Sequence, residues 1–193
     1  MQRAAWSLIC SLRDNGWERL QSEIDLEGQI GELTLKARAD LIAHHANGNI
    51  AVIDLKWRGK TRFKNLIRNR EEIQLNVYAQ LLDKQETSEL YTAYYLLSDA
   101  QILARTNRAF ANAEAIDAEA NPMEVRAEIL EKLLNTYRWR KSQLASGQLE
   151  IRCSKTLNEL EDAYQELDYD LLLEMKDTDA PFDDYRALIG LVQ

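Results

Sequence analysis

Two aspartates and a lysine stand where they could carry out chemistry together. Asp54 and Lys56 follow the apolar run 50–53, and Asp40 precedes the apolar pair Leu41-Ile42. Side chains two residues apart on a β-strand leave the same face, so a strand here would place the carboxylate beside the ammonium. Carboxylate oxygens suit Mg²⁺, and a nearby lysine can stabilise charge that develops on a phosphate. The three residues therefore indicate metal-assisted hydrolysis of a phosphodiester, although Asp-x-Lys alone also fits an ordinary surface ion pair.

Whether Asp40 can join Asp54 depends on the register of a hairpin. Asn47-Gly48 lies between the two apolar runs, and this pair is typical of hairpin turns. A two-residue turn formed by the pair alone would place Asp40 opposite Leu55 and point it away from Asp54. A loop of three or five residues centred on Asn47 would place the two aspartates opposite each other, with β-carbons roughly 4.5–5.5 Å apart. The metal-site hypothesis therefore predicts an odd-numbered loop.

The elements around these residues are predicted from hydrophobic spacing. A first helix is predicted over about 15 residues, with Trp6, Ile9 and Leu12 on one stripe. Strands are predicted at Ser22–Gly28, Leu33–Ala43, Asn49–Trp57, Leu90–Leu97 and Gln101–Thr106. Further helices are predicted at Lys64–Lys84, with Ile73, Val77 and Leu81 as its stripe, from the Asn121 cap to Gly147, and at Leu157–Leu173. This order indicates an α/β (α+β) domain with a small mixed sheet flanked by helices.

Charge is distributed unevenly along the chain. The net charge is −8, yet seven basic residues and no acidic one lie from Lys56 to Arg70, whereas eleven acids face one base from Glu159 to Asp184. We therefore predict a core domain over residues 1–150 and an acidic C-terminal helical extension over 151–193. Contacts between basic side chains and phosphates give affinity without reading sequence. A nucleic-acid-binding surface is thus predicted at Arg58, Lys60, Arg62, Lys64, Arg68 and Arg70, with a solvated basic loop as the alternative.

Three segments in order carry an aspartate, an Asp-x-Lys and a Gln-x-x-x-Tyr. They are Ala37–Ile42, Ile50–Lys56 and Gln74–Leu82. Together they resemble the PD-(D/E)xK nuclease superfamily, and most closely its RecB-type branch, which occurs in recombination helicase–nucleases and CRISPR-associated exonucleases. The specific resemblance covers about residues 23–82, roughly a third of the chain. It implies a restriction-endonuclease-like core.

The resemblance also implies roles for individual residues. The catalytic residues would be Asp40, Asp54, Lys56, Gln74 and Tyr78. The ligands of Mg²⁺ (or Mn²⁺) would be Asp40, Asp54 and the backbone carbonyl of Leu55, with Glu23 as a further ligand, directly or through water. The chain departs from many RecB-type nucleases because it lacks their upstream histidine, has Ala37 where a glycine is usual, and lacks the four-cysteine cluster of some relatives.

The function expected from these features is metal-dependent cleavage of DNA, at ends or in single strands, in repair, recombination or phage and CRISPR-type defence. Gly59-Lys60-Thr61 lacks the earlier glycine of a P-loop and a helix-start signature, so no nucleotide cofactor is expected. A helicase partner would then be another chain or part of a larger parent protein. Two alternatives stay open, an inactive DNA-binding or scaffolding module on this fold and an unrelated interaction domain. Without a membrane-spanning run or a signal-peptide pattern, a cytoplasmic protein is expected.

Overall fold

The computed structural model describes residues 2–83, 89–148 and 171–173. The described chain forms a six-stranded mixed sheet with helices, which confirms the predicted α+β class and restriction-endonuclease-like core. The helices are α1 (Gln2–Asp14), α2 (Lys60–Arg68), α3 (Ile73–Leu82) and α4 (Pro122–Ala145). The strands are β1 (Trp17–Ile30), β2 (Leu33–His45), β3 (Ile50–Lys56), β4 (Leu90–Leu96), β5 (Gln101–Ala104) and β6 (Glu114–Ala115).

The strands lie in the sheet in the order in which they occur in the chain. β1, β2 and β3 form an antiparallel meander, and β4 and β5 form an antiparallel pair. β3 and β4 are parallel, as are β5 and β6. A parallel pair needs a crossover connection, and α2 and α3 lie in the one between β3 and β4. The C-terminal end of β3, which carries Asp54 and Lys56, is thereby placed inside the sheet and next to these two helices.

Apolar clusters cover both faces of the sheet. α1 packs through Leu12 against Ile53 on one face. α2 packs through Phe63 against Tyr94 on the other, with the two rings 4.6 Å apart. Tyr94 is the register partner of Asp54 in the neighbouring parallel strand. Because register partners share a face and neighbouring residues alternate, Asp54 lies on the side of the sheet covered by α2 and α3.

The single long helix predicted over Lys64–Lys84 is wrong, because two helices occupy this segment. α2 begins at Lys60 and α3 begins at Ile73, with a short connection between them. Arg70 in the connection has a φ of 58°, a left-handed conformation that interrupts a right-handed helix. From the sequence, no helix is expected to start at Gly59-Lys60-Thr61. This expectation is wrong, because α2 begins at Lys60.

The buried faces of two helices differ from the predicted stripes. In α1, Trp6 and Ile9 are 66% and 51% exposed, whereas Leu8 is buried. In α3, Ile73 and Val77 are only half-buried. Both helices carry apolar residues around most of their circumference, so periodicity did not single out the face that packs on the sheet.

The contacts divide the chain into two compact units, residues 1–130 and 131–193. α4 begins in the first unit as predicted, because Asn121 Oδ1 accepts the Met123 N–H over 3.1 Å and Asn121 Nδ2 donates to Glu124 over 2.9 Å. Apart from residues 171–173, the predicted acidic extension over 151–193 lies outside the described residues, and so does most of the predicted helix Leu157–Leu173. The boundary at residue 150 stays a prediction. In the ranges described, no helix is long and apolar enough to cross a membrane.

Candidate active site

The hairpin between β2 and β3 has the register that the metal-site hypothesis requires. The ladder places Leu41 opposite Ile53, and the pairing together with the hydrogen bond across the turn leaves residues 46–48 as the loop. The loop therefore has three residues, and the predicted odd number is confirmed. One further step along this register places Asp40 opposite Asp54, on the same face of the sheet.

Asp40 is held in place by the backbone of β3. Its Oδ2 accepts the Leu55 N–H over 2.7 Å. The ladder between β2 and β3 ends at Leu41, so this N–H lies just beyond it and bonds to the Asp40 carboxylate. The carboxylate thus fills the place where the two strands begin to separate.

Replacing Asp40 by alanine is expected to lower the free energy of unfolding by about 1–3 kcal/mol, because the Leu55 N–H loses its acceptor. Asp40→Asn keeps a side-chain oxygen for this bond, so its stability is expected to stay close to that of the wild type. Urea unfolding of both variants without divalent metal measures the difference. Equal losses in the two variants would show that the charge of Asp40, and not this hydrogen bond, stabilises the fold.

The Asp54 carboxylate is fully buried, and few interactions offset the cost of burying its charge. Its exposure is 0%, and its Oδ2 lies 2.7 Å from Lys56 Nζ. Apart from that ion pair, neither carboxylate oxygen accepts a well-aligned hydrogen bond within the described chain. Burial raises the pKa of Asp54, Lys56 opposes this rise, and the neighbouring Asp40 carboxylate adds to it. Two buried oxygens beside a second carboxylate fit a divalent cation, whose charge would offset the cost of their burial.

The ligand set favours a hard cation. Among the residues that the structure describes, no group of three or more histidine, cysteine, aspartate or glutamate side chains is arranged to hold a metal. Two carboxylates supplemented by backbone oxygen and water are typical of Mg²⁺, whereas Zn²⁺ sites use histidine and cysteine. Glu23 lies on β1 across from Asp40, between the pairs Ser22–Leu41 and Ile24–Ala39. It is exposed, with a φ of 54°, and it does not complete a three-residue cluster.

Lys56 connects the aspartates to α3. Its Nζ pairs with Asp54 and donates to Gln74 Oε1 over 3.3 Å. Gln74 Nε2 in turn donates to the hydroxyl of Tyr78 over 2.6 Å. Because Gln74 and Tyr78 are one turn apart in α3, they project together towards the end of β3. The structure therefore brings Asp40 and the other four predicted catalytic residues into one connected group.

Arg105 is a buried arginine that carries no recognisable sequence signal. It holds α2 and α3 over the connected group of predicted catalytic residues. Arg105 Nη2 donates to the carbonyl of Ile67 in α2 over 2.8 Å and pairs with Glu72, the residue before α3. Its Nη1 pairs with Asp117 over 2.9 Å. Burial raises the pKa of Glu72, and Arg105 opposes that rise. One guanidinium thus holds the end of α2 and the start of α3, two residues before Gln74.

Arg105→Met is expected to lower the free energy of unfolding by about 3–5 kcal/mol, because Glu72 would remain buried without its cation. The double variant Arg105→Met/Glu72→Gln removes both charges and is expected to recover part of that loss. Urea unfolding of the two variants provides the measurement. If the double variant were as unstable as the single one, the uncompensated carboxylate would not be the cause.

The basic segment is the set of six predicted nucleic-acid-binding residues from Arg58 to Arg70, and three of them are paired with carboxylates. Lys60 Nζ lies 3.0 Å from Glu114 Oε2, and Lys64 contacts the other oxygen of the same carboxylate. Arg70 pairs with Glu128. The two lysines hold the pKa of Glu114 below its ordinary value. These pairs reduce the positive charge that the segment presents to a ligand.

Other members of the basic segment lie outside the ion pairs of the described residues. No carboxylate of the described chain pairs with Arg58 or Arg62, and both are exposed. The Arg62 guanidinium and Lys56 Nζ both lie 5.9 Å from the centre of the Phe63 ring. Phe63 itself is buried, whereas Trp57 is 58% exposed immediately after Lys56. Some of the unpaired positive charge of the segment therefore lies near the two aspartates.

Comparison with known proteins agrees with this geometry. The chain matches the family model of the PD-(D/E)XK nuclease superfamily over residues 1–187. No curated protein matches it. The family match spans nearly the whole chain, and the mixed sheet brings the two aspartates and Lys56 together at the end of β3. The chain therefore belongs to the PD-(D/E)XK nuclease superfamily.

Proposed function

We propose that the chain is a Mg²⁺- or Mn²⁺-dependent deoxyribonuclease that hydrolyses phosphodiester bonds at DNA ends or in single strands. One observation supports this most strongly, namely the buried Asp54 carboxylate opposite Asp40 and beside Lys56. A buried carboxylate whose charge is only partly compensated costs stability, and a bound cation that takes part in hydrolysis would give that cost a function. Membership of a nuclease superfamily supports the same reaction.

The metal ion would be held by Asp40, Asp54 and the backbone carbonyl of Leu55. The N–H and carbonyl of one strand residue point to the same edge of the strand. Because the Leu55 N–H points to Asp40, its carbonyl faces the same side. Glu23 is suited to a contact through water, since it lies across from Asp40 and is exposed. When bound, the ion would lower the pKa of a water molecule and neutralise charge on the phosphate.

Lys56 would stabilise the negative charge that develops on the phosphate during cleavage. Its ammonium is oriented by two acceptors, the Asp54 carboxylate and Gln74 Oε1. Tyr78 accepts a hydrogen bond from the amide nitrogen of Gln74, and this bond leaves the amide oxygen directed at Lys56. Gln74 and Tyr78 therefore act as positioning residues in this proposal. The side chain of Lys56 is 27% exposed, so a substrate phosphate can approach it.

The basic segment would bind the DNA backbone without reading base sequence. Arg58 and Arg62 have the most direct role in this proposal, because no carboxylate among the described residues pairs with them and because they follow the active-site strand. The resemblance to the RecB-type branch supports work beside a helicase, as a separate partner or within a larger parent protein. It also supports a place in repair, recombination or defence.

The proposal is tested with end-labelled single-stranded and double-stranded DNA incubated with Mg²⁺, with Mn²⁺ and with EDTA. Cleavage that requires either metal and begins at ends or in single strands is the expected result. Cleavage that continues in EDTA would contradict the metal-dependent mechanism. DNA binding without cleavage in either metal would instead favour a binding module on the same fold.

A further inference from the structure

One carboxylate on β6 binds two lysines of α2. Glu114 Oε2 lies 3.0 Å from Lys60 Nζ, and its Oε1 contacts Lys64 Nζ. Gln101 on β5 donates to Glu114 Oε2 over 2.8 Å and fixes the carboxylate at this edge of the sheet. Lys60 and Lys64 are one helical turn apart, so their ammonium groups converge on a single anion.

The opposite flank of α2 carries a basic residue in a different environment. Phe63 and Ile67 form the buried side of the helix. At 100° per residue, Lys60 and Lys64 lie on one flank of that side and Arg62 lies on the other. The first flank faces Glu114, and the second lies near the Phe63 ring that Lys56 also approaches. α2 therefore has one positive flank that is occupied by a carboxylate and one that is open.

A phosphate of a nucleic-acid backbone could take the position of the Glu114 carboxylate. Both are oxyanions that accept hydrogen bonds from two ammonium groups. The side chains of Lys60, Lys64 and Glu114 are 40%, 27% and 29% exposed, so the pair of ammonium groups can be reached from solvent. Ion pairs as exposed as these contribute little to stability, and little is lost when one acceptor replaces another.

We propose that Glu114 competes with substrate phosphate for Lys60 and Lys64, so that this flank of α2 binds nucleic acid only when the carboxylate is displaced. The proposal rests on the proposed function, because it takes the ligand to be a nucleic-acid phosphate. It assigns two binding modes to the basic segment. Arg58 and Arg62 bind the backbone at once, and the two lysines add to the affinity after the exchange.

The test is the affinity of the full chain for a labelled single-stranded oligodeoxynucleotide, measured in EDTA so that metal-dependent cleavage is suppressed. Glu114→Gln is expected to raise the affinity about tenfold near 0.1 M salt, because two lysines become available. The slope of log K against log salt is expected to steepen by about 0.7, since the two lysines converge on one phosphate and each phosphate contact with a single strand adds about 0.7. Thermal melting establishes that the variant is folded.

Asp14→Asn is the matched control, because it changes the net charge equally. Asp14 pairs with Arg13 over 2.9 Å on α1, which packs on the other face of the sheet. Its affinity is expected to stay within about twofold of the wild type. An equal rise in both variants would show that net charge alone is responsible, and this would overturn the proposal.

A double-mutant cycle separates release of the lysines from simple repulsion by Glu114. In the Lys60→Gln/Lys64→Gln background, Glu114→Gln is expected to leave the affinity unchanged. The proposal is overturned if the rise persists in that background or if there is no rise in the wild-type background. It is also overturned if neither the wild type nor Glu114→Gln binds DNA.

The binding result is independent of the cleavage assay. A chain that shows the expected affinities but never cleaves would refute only the nuclease function, and an active chain with unchanged affinities would refute only the competition.

Discussion

Lys56→Ala is expected to slow metal-dependent DNA cleavage by about 100- to 1000-fold, the effect of removing one positioned charge-stabilising group from an active site. Lys56 is held by Asp54 and Gln74 and is still exposed to substrate, which is the arrangement such a group needs. Single-turnover cleavage of end-labelled DNA at saturating protein measures the effect, because it separates the chemical step from binding. A variant that keeps more than a tenth of the wild-type rate would exclude Lys56 as the catalytic lysine.

Two controls make the Lys56 result specific. Lys36→Ala removes the same side chain from an exposed pair with Glu27 and is expected to cleave at the wild-type rate. Lys56→Ala also leaves Asp54 buried without its cation, and this can cost several kcal/mol. Urea unfolding therefore defines the conditions in which the variant is folded before its cleavage rate is compared. DNA affinity is expected to change little, because the unpaired arginines remain.

Asp54→Asn is expected to have opposite effects on stability and activity. Without divalent metal the variant should be more stable than the wild type by about 1 kcal/mol or more, because it removes a buried charge that is only partly compensated. Cleavage should fall below detection, and Mg²⁺ should no longer raise the melting temperature. The wild type, in contrast, should gain stability as Mg²⁺ binds to its folded state. Thermal melts with and without Mg²⁺ measure both effects.

The comparison with Asp40→Asn tests the assignment of Asp54. Asp40 is only half-buried and already bonds to the Leu55 N–H. Its amide variant should therefore lose the response to Mg²⁺ without a comparable gain in stability. An Asp54→Asn variant that was less stable than the wild type in the absence of metal would mean that the folded chain itself satisfies the carboxylate. The strongest argument for a cation between the two aspartates would then be lost.

The arrangement of the aspartates was predictable because it depends on local rules. Residues alternate between the faces of a strand, and an odd hairpin loop places Asp40 opposite Asp54. The alternation follows from the short segment between the two aspartates, whereas the odd loop was a requirement of the metal-site hypothesis, because Asn47-Gly48 also suits a two-residue turn. The spacing of Gln74 and Tyr78 by one helical turn is local in the same sense. Their meeting with Lys56 was expected only from the family resemblance, since it depends on how α3 packs.

The break between α2 and α3 was not predictable from hydrophobic period. Residues 68–72 are polar, yet Leu66 and Ile73 are seven positions apart, a spacing that also suits one helix. The interruption is a backbone conformation at Arg70, a residue with no special preference for it. Arginine rarely adopts a positive φ, so its sequence position gives no warning. The consequence is functional, because the break allows α3 to approach the end of β3 at its own angle.

The ion-pair partners of Arg105 and Glu114 could not be predicted from the sequence either. Arg105 meets Glu72 from 33 positions away, and Glu114 meets Lys60 across a longer interval. Charge alone does not choose between the many acids and bases of the chain. β6 has two residues, too few to show the alternating pattern of a strand. The ion pairs at this edge of the sheet therefore depend on the complete fold and cannot be predicted from the sequence.

The order of strands in the sheet has a consequence for folding kinetics. β1, β2 and β3 are joined by short turns, whereas the pairing of β3 with β4 must first close the longer crossover. Short loops close at a lower entropic cost, so the meander is expected to form early. Asp40 and Asp54 then meet before Gln74 is in place to orient Lys56. Repulsion between the two carboxylates is therefore expected to oppose this early pairing of β2 with β3, and Lys56, which lies on β3 itself, is the charge that offsets it.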